Sequence, residues 1–165
     1  MESNKSKKIK RQNYGLGSVV AIPLNDGRFS FARAYRSLSF AIYDLVSDHV
    51  VEISEVIKKP IAFFHTGTDD GIKKGLWPVI GEQPFEDPDD AWGPPKATCY
   101  DWEENRWTMW GVPHVRHKGQ TFRATLEQVQ GLDVLEVSPN VESFVWTIER
   151  RLIQGHNEIF KVRSS

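Results

Sequence analysis

Between positions 82 and 104 the chain gathers eight carboxylates, Glu82, Glu86, Asp87, Asp89, Asp90, Asp101, Glu103 and Glu104, against one cation, Lys96. Phe85, Trp92 and Trp102 are interleaved with them. The whole chain holds 21 Lys and Arg against 22 Asp and Glu, a net charge of −1, so its negative charge is concentrated in one linear stretch. Carboxylates set among aromatic rings suit the surface of a positively charged partner: charge complementarity speeds encounter, and Trp or Phe supplies the anchors. The same composition also describes a solvated loop whose acids keep the protein soluble and whose rings fold back onto the core. Both readings stand at the level of sequence.

Other reactive residue types do not assemble into a catalytic pattern. Glu103 and Glu104 are adjacent, and on a strand adjacent side chains face opposite sides. Cys99, between Thr98 and Tyr100, reads as a small buried hydrophobe and not as an activated thiolate. His114 and His117 would share a face only on a helix, and Pro113 and Gly119 bracket the segment too closely for a long one; Cys99 and Asp101 would have to complete any metal site through the fold. Gly67, Gly71 and Gly75 have neither phosphate-loop spacing nor a following Lys-Ser/Thr pair. No catalytic residue, cofactor or metal is assigned, and the chain reads as a non-enzyme.

The elements that position these residues are mostly strands. Two β-prone runs flank Asp26-Gly27 within residues 17–35. A two-residue type I′ turn there predicts a hairpin with Leu24 opposite Phe29, Ile22 opposite Phe31 and Val20 opposite Arg33. Pro23 cannot donate a ladder hydrogen bond, which predicts an edge strand or a bulge. Residues 40–46 and 61–66 read as further strands, 49–59 fit either a strand or a short helix, and 77–81 form a short extended piece. The proline density of 82–95 predicts a loop. Residues 96–102 and 106–110 make a hairpin around Glu103-Glu104-Asn105. Residues 112–122 read as a polar connection, 125–131 as a helical turn ending at Gly131, and 132–137 as a short strand. Ser138-Pro139 predicts the start of a helix over 138–154, with Ser138 as N-cap and Pro139 at the first helical position. Val141, Phe144, Val145, Ile148 and Leu152 fall on one face of it. Residues 159–162 read as a final strand or a frayed end. The expected fold is therefore mainly β, a bent antiparallel sheet or small barrel with one C-terminal amphipathic helix packed on it.

Length and composition bound the rest. At 165 residues with ordinary apolar and charged fractions, the chain reads as one globular domain over 14–165 behind a basic tail at 1–13. Lys5, Lys7, Lys8, Lys10 and Arg11 in that tail read as solvated, and nucleic acid is not the expected partner. A single cysteine permits no internal disulfide, no run is long enough for a membrane span, and no apolar segment follows the N-terminal charges; the cytoplasm is the expected compartment.

The run Val-Ala-Ile-Pro-Leu-Asn-Asp-Gly-Arg-Phe at 20–29, followed by Phe31, Ala32 and Arg33, and the later Leu76-Trp77-Pro78-Val79-Ile80-Gly81, resemble the immunity protein 26 family of bacterial polymorphic toxin systems. The resemblance spans residues 17–81. It implies a mostly β, non-catalytic bacterial protein that binds and neutralises a cognate toxin. Many toxins that need an inhibitor are nucleases with positively charged clefts, which residues 82–104 would suit as a blocking surface. The competing reading is a non-catalytic β module for peptide or single-stranded nucleic acid, with Trp77, Trp107 and Trp110 as stacking platforms.

Overall fold

A computed structural model of the chain describes residues 11–101, 106–108 and 111–156. In chain order the elements are β1 (Ser18–Pro23), β2 (Phe29–Ala34), β3 (Ser39–Tyr43), α1 (Ile53–Val56), β4 (Ile61–Thr66), α2 (Asp70–Lys73), β5 (Val79–Glu82), a 3-10 turn at Pro88–Ala91, β6 (Lys96–Asp101), β7 (Arg106–Thr108), β8 (Val112–His117), β9 (Gln120–Arg123), α3 (Leu126–Val129), α4 (Val141–Ile148) and a π-helical turn at Glu149–Ile153. They build a five-stranded sheet in the order β4-β3-β2-β1-β5 and a four-stranded sheet in the order β7-β6-β8-β9. All the strand pairs within them are antiparallel. The protein is mainly β with a C-terminal helix, as its sequence implies; of the two forms expected, it takes the open sheet and not the closed barrel.

The first hairpin forms with a register one residue away from the expected one. Val20 pairs with Ala32, Ala21 with Phe31 and Ile22 with Ser30. The Gly27 amide donates to the Leu24 carbonyl at 3.2 Å, and the Leu24 amide to the Arg28 carbonyl at 2.8 Å. The loop is therefore the three residues Asn25-Asp26-Gly27: a type I turn that places Gly27 in the left-handed region, at φ 85°, and not a two-residue I′ turn. A one-residue slip sends every side chain to the other face. Here both faces are buried, so the slip separates Ile22 from Phe31 without exposing either. Val20, Ile22, Leu24 and Ala32 join the cluster under Phe144, Val145 and Ile148 of α4, with Trp77 and Phe40. Val19, Ala21, Phe31 and Tyr43 form the cluster on the opposite face with Val56. β1 is an interior strand, so Pro23 does not mark an edge. It is the last residue of the strand, and β5 pairs only as far as Val20, so the missing N–H leaves no ladder partner unmet. The bulge in β1 falls at Val19/Val20 instead.

The C-terminal helix starts two residues later than Ser138. Asn140 caps it, its side chain accepting from the Ser143 amide at 2.8 Å, while the Ser143 hydroxyl reaches back to the Asn140 amide. Ser138 spends its hydroxyl elsewhere, 2.6 Å from His65 Nε2. The predicted apolar face holds: Phe144, Val145 and Ile148 are buried, and Val141 and Leu152 pack against the same cluster.

Residues 112–123 differ from the expected polar connection. They form the β8–β9 hairpin, closed by a two-residue turn at Lys118-Gly119 with φ of 50° and 75°. Val115 is the buried position in this otherwise polar ribbon. The segment after α3 joins the two sheets. Val134 bridges to Ala97 of β6, and Val137 bridges to Thr66 of β4, both in parallel sense. Gln12 closes the far end of the fold, its side chain bonding the Ile72 and Trp77 carbonyls and the Val79 amide.

Candidate functional site

The acidic loop leaves β5 at Glu82 and reaches β6 through the 3-10 turn at Pro88–Ala91. Two arginines of β2 and its following turn hold its backbone. Arg33 donates from Nε and Nη2 to the Gln83 carbonyl at 2.9 and 2.5 Å, and from Nη2 to the Pro84 carbonyl at 3.1 Å. The Arg36 amide donates to the Ala91 carbonyl at 2.8 Å. Tyr43 donates to the Gln83 side chain, and burial raises its hydroxyl pKa to about 12, so it stays a donor at any physiological pH. Asp87 caps the 3-10 turn by accepting from the Asp89 amide at 2.9 Å.

This arrangement separates the loop's rings from its charges. Phe85 is half-buried, 3.7 Å from the Arg33 guanidinium and edge-on to Tyr35. Trp92 is half-buried, with the Arg36 guanidinium 5.6 Å from its centroid. Glu82 is exposed and accepts from the buried Ser18 hydroxyl at 2.9 Å. Glu86, Asp87, Asp89 and Asp90 are exposed, and among the described residues no cation pairs with them. The arginines bind carbonyls and rings, so the carboxylates stay unneutralised. Asp101 is the last residue of β6, paired in register with Arg106. Trp102, Glu103 and Glu104 lie outside the described residues.

Lys96, the loop's only cation, is withdrawn into the joint between the sheets. Its ammonium bonds the Phe64 carbonyl and sits 3.5 Å from Asp133, whose carboxylate also accepts from Arg151 at 3.1 Å. Burial strips water from Lys96 and holds its pKa below the usual lysine range, against the pull of Asp133. His65 lies beside this joint, fully buried. Burial first, then the positive charges of Lys96, Arg151 and Arg150, lower its pKa to about 3, so its ring is neutral near pH 7.

The remaining candidates fall elsewhere. His114 and His117 sit on β8, where a spacing of three puts them on opposite faces. Trp77 is 1% exposed and packs against Phe144, which removes it from any stacking platform. Trp110 lies outside the described residues, and Trp107 occupies β7, opposite Tyr100. The latching roles of Arg33 and Arg36 were not evident from sequence. The available signal was a charge at the end of an otherwise apolar β2 face. No helix among the described residues is long and apolar enough to cross a membrane.

A family model described as Immunity protein 26 matches residues 15–105, more than half of the chain. No curated protein and no solved structure matches. The family match extends past the motifs at 20–33 and 76–81, taking in the acidic loop, its arginine latches and β6. Immunity proteins are in general non-catalytic inhibitors whose role is to neutralise a toxin. On this match over both the first sheet and the loop that crosses it, the chain belongs to the immunity protein 26 family.

Proposed function

We propose that the protein neutralises the cognate toxin of a bacterial polymorphic toxin system in the cytoplasm, by binding it directly through the acidic face of residues 82–104. The observation that carries this reading is the loop's internal division of labour. Arg33 and Arg36 anchor its backbone and rings, while Glu86, Asp87, Asp89 and Asp90 stand exposed with no cation paired to them among the described residues. A pre-ordered row of carboxylates loses little conformational entropy on binding and steers a basic partner by charge. A nuclease, whose cleft must attract phosphate, is the toxin class such a row would block. The protein needs no catalytic residue, metal or cofactor for this, and no membrane. Contact would extend to Asp101, at the end of β6, and along the sequence to Trp102, Glu103 and Glu104.

The test replaces Glu86 with Gln and Asp87, Asp89 and Asp90 with Asn, which keeps side-chain size and leaves an amide oxygen to cap the 3-10 turn. Co-expression with candidate cognate toxins, and association kinetics at several salt concentrations, are the readouts. The expected result is loss of protection, with an association rate that is slower and less salt-sensitive than the parent's. Full protection by the variant at equal concentration would remove this face from the mechanism.

A further inference from the structure

A cleft of about 300 Å³ lies where the two sheets meet, within the size range of small-molecule sites. Arg36, Arg116 and Lys118 line it, with Trp92 at one wall, and among the described residues no Asp or Glu does. In a chain of net charge −1 this is a local reversal of sign. Arg116 and Lys118 are largely uncommitted, Arg36 also holds the acidic loop, and Lys96, the fourth cation of the lining, is engaged by the Phe64 carbonyl and Asp133. Arg116 donates one N–H to the Thr121 hydroxyl at 2.9 Å. Arg36 uses Nε toward the Pro88 carbonyl at 3.4 Å. Lys118 has no acidic partner among the described residues.

Backbone strain gathers at the same place. Ser37, Leu38 and Lys118 are the non-glycine residues with positive φ among those described, at 58°, 53° and 50°. All three lie in the two turns at the rim of this cleft, 37–38 between β2 and β3 and 118–119 between β8 and β9. Turns of this kind favour Gly or Asn. Side chains held in left-handed geometry collect where function requires them. Here they set Ser37 and Lys118 into the cleft wall.

We infer that this cleft binds a small phosphomonoester, its phosphoryl group held by Arg36, Arg116 and Lys118 and its organic part lying against Trp92. Two guanidinium forks and an ammonium match a dianionic phosphoryl group. The hydroxyls of Ser37 and Thr121, which also line the cleft, add donors. A carboxylate would leave positive charge in surplus. The cleft shares Arg36 and Trp92 with the acidic stretch proposed for toxin binding, whereas Arg116 and Lys118 lie on the β8–β9 hairpin outside that stretch.

Isothermal titration calorimetry on the full chain tests it, with inorganic phosphate, AMP and adenosine as probes and chloride at matched ionic strength as control. Phosphate and AMP are expected to bind, AMP more tightly, and adenosine to give no measurable heat. Arg116 and Lys118 are both exposed, so Arg116→Gln with Lys118→Gln leaves the core intact and should weaken AMP by about tenfold or more. Lys118→Gly, which relaxes its turn, is a second variant that loses the charge without threatening the fold. Trp92→Leu should bring AMP down to the affinity of phosphate. Absence of heat from both phosphate and AMP, or unchanged AMP affinity in the double variant, overturns the site; equal affinity for phosphate and AMP in the parent overturns the role of Trp92.

Discussion

The two sheets are built from the same kind of antiparallel strand but to different ends. In the five-stranded sheet, β3 is buried at all five positions and β1 at five of six, with apolar clusters on both faces. In the four-stranded sheet β9 is exposed throughout, and the described core is Ala97, Val115 and Val129 with a few half-buried neighbours. Apolar burial contributes roughly 25 cal/mol per Å², so the first sheet must supply most of the stability. The second is a polar ribbon held against it, free to vary its surface. The acidic loop and the cationic cleft both lie where the two meet.

Hollowing each core in turn separates the contributions of the two sheets. Phe144→Ala, beneath the five-stranded sheet, should cost about 3–5 kcal/mol in urea unfolding. Val115→Ala in the other sheet should cost only about 1–2 kcal/mol. Similar losses at the two sites would mean that the sheets share stability equally.

Next in size is the joint. Asp133→Ala leaves Lys96 and Arg151 facing each other without their shared carboxylate. Breaking a buried pair is strongly destabilising, and since Asp133 retains some solvent contact the expected cost is about 2–3 kcal/mol. Amide hydrogen exchange should quicken in β6 and β8 well before β1 to β3. Uniform quickening would show that the joint belongs to the first sheet's cooperative unit.

His65 makes part of the first sheet's stability depend on pH. Its folded pKa, about 3, is below the unfolded value of about 6.5, so in that window the unfolded state binds the extra proton. Its contribution is complete above pH 6.5 and is lost as pH falls toward 3, with a slope of up to about 1.4 kcal/mol per pH unit. Thermal melts from pH 7 to 5 should be steeper for the parent than for His65→Gln. Equal steepness would assign the acid sensitivity to other groups.

The smallest expected effect is a gain. Leu38 is 43% exposed and strained at φ 53°. Leu38→Gly should stabilise the β2–β3 turn by about 0.5–1 kcal/mol, the relief of left-handed strain less the extra entropy of glycine. A loss of stability on that substitution would show that the exposed leucine makes packing contacts worth more than the strain.

What was readable in the chain follows the same divide. The strands of the first sheet announce themselves as apolar runs between turn residues, and the α4 face is plain from its spacing. Doubly buried strands carry no alternation, however, so the pattern could not choose between two registers of the first hairpin; the turn hydrogen bonds at Leu24 decide it. The second sheet was harder to see. β8 and β9 are polar because they are solvated, and Lys118-Gly119 gives weaker turn chemistry than Asn-Gly. The helix cap moved because Ser138 is drawn to His65, a contact 73 positions away in sequence. The acids of the loop were legible; the arginines that fix their orientation were not, since that requires knowing that β5 docks on β1 and brings the loop back toward β2 and its turn.

The late position of α4 has a consequence during synthesis. All five strands of the first sheet lie between Ser18 and Glu82, so they leave the ribosome long before Phe144, Val145 and Ile148 do. Until then the face carrying Val20, Ile22, Phe40 and Trp77 has no cover, and the nascent chain passes through a stage in which its largest apolar surface is bare. Synthesis order thus makes the docking of α4 the step that ends exposure to aggregation and to chaperones.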